Sequence, residues 1–143
     1  MSVKLDLGSF REAVSSLEAA IKIVNNPEWF NSQSIPMQNI LRAGIVQNFE
    51  FVYEISIKMI RRQLQIDAAS PSEIDFTDFK DLIRTAGEKG LVKNVAAWFN
   101  YRNMRNITSH TYDQKKAIFV YQSTLSFIDD ANNLLQRLES RNG

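Results

Sequence analysis

The stretch from about Pro36 to about Ile66 constrains this chain more than any other part of it. It reads as one long helix. Its apolar residues (Ile40, Leu41, Ile45, Val46, Phe49, Val52, Tyr53, Ile57, Ile60 and Leu64) cover more than one narrow stripe. A helix apolar over so much of its circumference lies at the centre of a bundle, or also faces a second subunit. The remaining elements must then be helices that pack around it.

Four further helical segments are legible. Ser9 with Glu12 forms a capping-box pattern, followed by a stripe of Phe10, Val14, Leu17, Ile21 and Val24 that stops at Asn25-Asn26-Pro27. A loop is expected before the long helix. Ser70-Pro71-Ser72-Glu73 signals a third helix, ending at Gly87 or Gly90. A fourth spans roughly Leu91 to Asn106. A fifth runs from about Asp113 to Leu138, with Thr111 and Gln114 as its capping box and Tyr121, Leu125, Ile128, Leu135 and Leu138 inward. Short loops between long amphipathic helices predict an all-α, antiparallel, up-and-down four-helix bundle with an additional short helix, formed by residues 1–143 as a single domain.

Composition narrows the function classes. With 143 residues, 44% of them hydrophobic, the chain can bury a real core. It contains no cysteine, which excludes disulfide scaffolds and thiolate metal sites and suits a reducing compartment. No apolar run approaches the ~18–20 residues of a membrane span. The first residues, Met-Ser-Val-Lys-Leu-Asp, lack a signal-like apolar region, so a cytoplasmic location is expected. The net charge of +1 hides an asymmetry: Arg84 to Lys116 carries +5, and the rest of the chain −4. A local basic patch attracts phosphate. A lysine-rich solvated face explains it equally well.

Candidate chemistry concentrates between Arg102 and Tyr112, which includes the only histidine, His110. On one continuous helix Arg105 and His110 would lie about 140° apart. Ile107-Thr108-Ser109 is weakly helical, so the chain can break there and let the two side chains converge. Arginine grips a phosphate through a two-pronged hydrogen bond, and histidine exchanges a proton near neutral pH. Asn106 lies beside them in sequence and can orient one of them. An inert histidine in an interhelical loop is the competing reading. Glu50 and Glu54 stand one turn apart on the apolar long helix. Glu54 can pair with Lys58, or the two can be half-buried partners of Arg102 or Arg105. One histidine without cysteine makes no zinc constellation, the aspartate pairs suit capping or surface charge, and no glycine-rich phosphate loop is present. No metal or cofactor is expected.

Arg105-Asn106-Ile107-Thr108-Ser109-His110-Thr111-Tyr112 resembles the R-x4-H-x-Y signature of HEPN domains, and is similar to the branch of nucleotidyltransferase substrate-binding proteins. The aromatic pair Trp98-Phe99, the helix from Phe49 to Lys58 and the Ser70-Pro71 helix start resemble that branch in the same order, over about Leu7 to Leu138. Ile57 departs from it where tryptophan is frequent, and Ser72 to Gly90 is longer. The resemblance implies a homodimer with two motifs near a shared cleft, and a separate minimal nucleotidyltransferase as partner. It makes the chain the substrate- or nucleotide-binding half of a toxin–antitoxin pair, with ATP or RNA as ligand. Arg102, Tyr112, Glu50, Glu54 and Trp98 are then binding residues, and Tyr112 is the residue the partner adenylylates. The alternative it implies is a metal-independent endoribonuclease using Arg105, His110 and Asn106.

Overall fold

The computed structural model describes residues 4–75, 77–110 and 113–143, without the side chains of His110 and Gln114. The elements are α1 (Gly8–Val24), α2 (Pro27–Ser32), α3 (Ile35–Asp67), α4 (Ser72–Asp75), α5 (Phe79–Glu88), α6 (Val95–Ile107), a 3-10 turn (Thr108–His110) and α7 (Gln114–Asn142). The fold is an all-α bundle. The long central helix matches its sequence expectation to within a residue at either end. Ser34 opens it by accepting the Met37 N–H at 3.2 Å, and Pro36 sits in its first turn.

Hydrogen bonds fix the helix directions. The N–H of Leu5, just before α1, donates to Asn142 at the end of α7, and Asn142 Nδ2 donates to Gln63 near the end of α3. Thus α1 runs antiparallel to both α3 and α7, while α3 and α7 run parallel. Only six residues separate the end of α6 from the start of α7, and Trp98, nearer the start of α6, packs on Phe127 well along α7, so these two helices run antiparallel. The junction of α3, α6 and α7 is aromatic. The Phe127 ring meets Phe49, Trp98 and Tyr101 edge-on at 4.9, 5.9 and 4.8 Å, a geometry that sets each ring's positive edge against its neighbour's face. Buried Ser56 and Thr124 give their hydroxyl protons to the carbonyls of Val52 and Val120, one turn back, so neither is stranded in the core.

Several local expectations are corrected. Ser9 caps nothing: α1 begins one residue earlier, placing Ser9 inside the first turn, and the Asp6 carboxylate accepts the Gly8 N–H instead. The expected loop after Asn26 contains α2, capped by the Asn26 side chain on Trp29 N–H and anchored by buried Phe30. The third helix is two helices. Arg61 donates to the carbonyls of Ile74 and Thr77 at 3.0 and 3.2 Å, satisfying them where the ladder is broken, and Asp78 caps the new start at α5. The fourth helix starts at Val95 rather than Leu91. Gly90, at φ +74°, turns the chain, Leu91 and Val92 are buried in the connection, and Asn94 caps α6. The cap of α7 is Asp113, which accepts from Lys115 N–H; Thr111 lies outside the described residues.

Apolar side chains remain outside this core. Ile40 and Phe51 on α3 are 65% and 58% exposed, with Ile35 on the same helix and Phe119 on α7. Ile40 and Phe51 are eleven residues apart, hence about 20° apart around the helix. They form one stripe, on the side of α3 adjoining Glu54. Among the described residues, no helix is long and apolar enough to cross a membrane.

Candidate functional site

Arg105 lies in the last turn of α6, close to the middle of α3. Its Nε and Nη2 donate to Glu54 Oε1 at 3.0 and 2.8 Å, and its Nη1 donates to Thr108 Oγ1 at 2.9 Å and faces Glu50 Oε2 at 3.6 Å. The two glutamates project from the same side of α3 because they are four residues apart. Glu54 is therefore paired with Arg105. The Glu54 hydrogen bond raises Arg105 above its ordinary arginine value; burial opposes this, and the Glu50 charge supports it. The guanidinium stays charged at any working pH. These side chains are one-third to over one-half exposed, so the pairing contributes at most about 1 kcal/mol of stability. What it supplies is orientation: the planar fork is held in one plane.

α6 stops directly beyond this fork. Thr108 Oγ1 donates to the Arg105 carbonyl at 2.6 Å, Ser109 Oγ donates to the Asn106 carbonyl at 3.1 Å, and the backbone tightens into the Thr108–His110 turn. Hydroxyls that bond the preceding carbonyls compete with helix propagation, which is why Thr-Ser stands at the break. His110 ends that turn. Asn106 is exposed beside it. Tyr112 lies outside the described residues.

The other candidates separate. Arg102 is exposed and does not join the glutamates; its guanidinium lies over the Phe79 ring at 4.4 Å. Trp98 is a core residue, 1% exposed against Tyr101 and Phe127, and has no surface to offer a ligand. Sequence reasoning missed two contributors. Thr108 braces Arg105, and Tyr53, between the two glutamates, stacks on Phe49 at 6.0 Å. Burial pushes the Tyr53 phenol up to about 12, against the pull of Arg102 and Arg105. Tyr53 was legible only as an apolar position of the long helix; an i, i+3 Arg–Thr spacing was the available signal for Thr108. Among the described residues, no cluster of three or more acidic or imidazole side chains is placed to hold a metal ion.

The family model described as nucleotidyltransferase substrate binding protein like matches residues 5–140. The chain belongs to that family. A Haemophilus influenzae protein named probable ribonuclease HepT is 44% identical over 142 residues, spanning 99% of this chain and 97% of its own length. The solved structure of HI0074 from the same organism, described as the fold of a substrate binding domain of a nucleotidyltransferase, superposes with a TM-score of 0.91 at 43% identity, over 94% of this chain and 99% of that one. A Thermus thermophilus protein shares the fold at a TM-score of 0.69 and 21% identity, over 90% of this chain and 98% of that one. The family's fold is therefore this bundle, and the Arg105 site lies within the matched region.

Proposed function

We propose that this chain is a metal-independent endoribonuclease acting through Arg105 and His110, and that it works as the helical half of a pair with a minimal nucleotidyltransferase. The observation that carries the catalytic part is the braced fork of Arg105 beside the turn that ends at His110. Cleavage needs a base to take the 2′-hydroxyl proton, a cation for the crowded phosphate and an acid for the leaving 5′-oxygen. His110 is the base, an imidazole being able to exchange a proton near neutral pH. Arg105 holds the phosphate with the N–H groups its glutamates leave free. Asn106 orients one of the two. The 2′-oxygen bonds to phosphorus as the 5′-oxygen departs and takes its proton from water, Tyr112 or the histidine of a second subunit, leaving a 2′,3′-cyclic phosphate and a 5′-hydroxyl. The likeness to a protein named a ribonuclease supports this reading.

The family description favours the second reading, a substrate-binding subunit that keeps the same residues for its partner's chemistry. In that reading the basic stretch around Arg102 to Tyr112 faces the nucleotidyltransferase, ATP or RNA is the ligand, and Tyr112 is the acceptor of an adenylyl group. The toxin–antitoxin arrangement, the homodimer and a cytoplasmic setting belong to both readings.

One assay separates the readings. Purified protein is incubated with mixed RNA in EDTA, and 2′,3′-cyclic phosphate ends are sought. Removing a proton-transfer group costs about 10²–10⁴-fold, so His110→Ala nearly abolishes cleavage with the helical signal unchanged. Arg105→Lys rescues little of the Arg105→Ala loss, since lysine lacks the planar fork. Equal cleavage by wild type and His110→Ala would show that other residues, or a contaminant, do the work. A wild type that never cleaves leaves the binding-subunit reading.

A further inference from the structure

A second arrangement of aromatic and cationic groups lies one turn away from Arg105 along α6. Phe79, in the first turn of α5, and Phe99, on α6, stand 6.2 Å apart with their rings tilted by 56°. Arg102 covers Phe79 at 4.4 Å, and Arg84 lies over Phe99 at 5.7 Å. The four side chains form a ladder of cation, ring, ring and cation. It opens into a cleft of about 510 Å³ lined by Asp78, Phe79, Lys80, Phe99, Arg102 and Asn103.

Structure alone does not require this ladder. The contact of α5 with the core is already made by Leu82, Ile83 and Ala86, all fully buried. The two phenylalanines are only partly buried, and Arg84 and Arg102 are exposed. Rings left half-open and flanked by guanidiniums are the surface that a nucleobase stacks on, with cations beside it for the phosphate. The acidic groups nearby are largely committed. Asp78 accepts the Asp81 N–H as the cap of α5, and Asp81 pairs with Arg84 at 3.3 Å. Arg102 and Arg105 are three residues apart on α6, and Arg102 lines the cleft, so the cleft adjoins the Arg105 fork along one side of that helix.

We propose that the Phe79–Phe99 cleft is a base-stacking subsite for single-stranded RNA, holding a nucleotide that neighbours the phosphate gripped by Arg105. The base enters beside the rings, Arg102 and Lys80 meet its phosphate, and Asn103 at the rim meets its polar edge. Stacking accepts any base face, so the subsite contributes affinity and register more than sequence choice. The inference rests on the ribonuclease reading for its substrate class, and it is tested separately from cleavage.

The test uses full-length His110→Ala protein, which holds RNA without cutting it. Short single-stranded RNAs carry 2-aminopurine at successive positions. The expected result is fluorescence quenching confined to one or two positions. Phe99→Leu, which keeps the side chain apolar at nearly constant volume, removes that quenching and weakens binding about tenfold, a typical value for one base–aromatic stack. Arg102→Gln, at an exposed position, weakens binding too and reduces its salt dependence. Lys22→Ala on α1 changes neither. Uniform quenching, or affinities unaltered in both variants, overturns the proposal. So does loss of binding to the nucleotidyltransferase partner in the same variants with RNA binding intact, since the cleft would then be a protein interface. If wild type fails to cleave any RNA while the quenching and its loss are observed, the subsite stands and only the ribonuclease reading falls.

Discussion

Three of the five N–H groups of Arg105 are in use before any ligand arrives: two on Glu54 and one on Thr108. An incoming phosphate meets the remaining pair or displaces a carboxylate, so the glutamates set both the angle of the fork and the strength of its grip. The acidic pair was legible because charges on an otherwise apolar helix need a partner. Which arginine they hold was not, since Arg102 and Arg105 lie only about 60° apart around the helix, and it takes the tertiary structure to place Arg102 over Phe79 instead. Trp98 was misread for a related reason: an aromatic beside a motif looks the same in sequence whether it faces a ligand or the core. Tyrosines give the residue-scale prediction. Burial raises Tyr53 to about 12, raises Tyr121, and with the Asp130 hydrogen bond raises Tyr101 further. A folded-state pKa above the ordinary value of 10 means that the folded chain keeps protons the unfolded chain has released. Stability is therefore intact below pH 10 and falls as pH rises from there through 12. Phenolate absorbance should lag in the native protein and jump together with loss of helical signal, whereas in denaturant all four tyrosines titrate near 10. Complete titration by pH 10.5 with the helices intact would contradict these placements.

Helix boundaries depend on single residues. The positions of the long helices were legible from periodicity, and the expected start at about Pro36 lies within a residue of the start of α3. The break inside the third helix was not placed, although Ser72 to Gly90 reads as longer and less regular than the family pattern. Arg61, more than ten residues away in sequence, holds the broken ladder, and no local signal announces that contact. Two glycines close the opposite side of this region. A Cβ on Gly87 would sit 2.5 Å from Val95 Cγ2, so the end of α5 meets the start of α6 at glycine distance. Gly90 holds φ +74°, and its carbonyl accepts from Arg137 at 2.9 Å. Placing a side chain in that backbone conformation costs about 1–2 kcal/mol, and asparagine tolerates it better than alanine. Gly90→Ala should lower Tm by about 3–6 °C, with Gly90→Asn losing less, as read by thermal unfolding. An alanine variant as stable as wild type would mean that this turn relaxes freely.

At the scale of the molecule, the surplus of apolar residues that made α3 central in the sequence reappears as a surface stripe. Phe51, three residues from Glu54 on α3, adjoins the Glu54–Arg105 pair, and a two-fold partner seated on the stripe it shares with Ile40 would bring two Arg105 forks close to one cleft. Light scattering at micromolar concentration should give twice the chain mass, and Phe51→Glu should give the single-chain mass with helicity intact. A monomeric wild type would remove the dimer. The other end of the bundle is tied differently: Leu5 bonds to Asn142, which bonds to Gln63. Residues 5 and 142 therefore meet, while the turn carrying His110 adjoins the start of α7, about 43 Å away along that 29-residue helix. A short peptide bridging those two positions would close the backbone into a ring at little entropic cost. New ends could then be opened in an exposed connection elsewhere, and a circularly permuted or fused protein would keep the motif unobstructed.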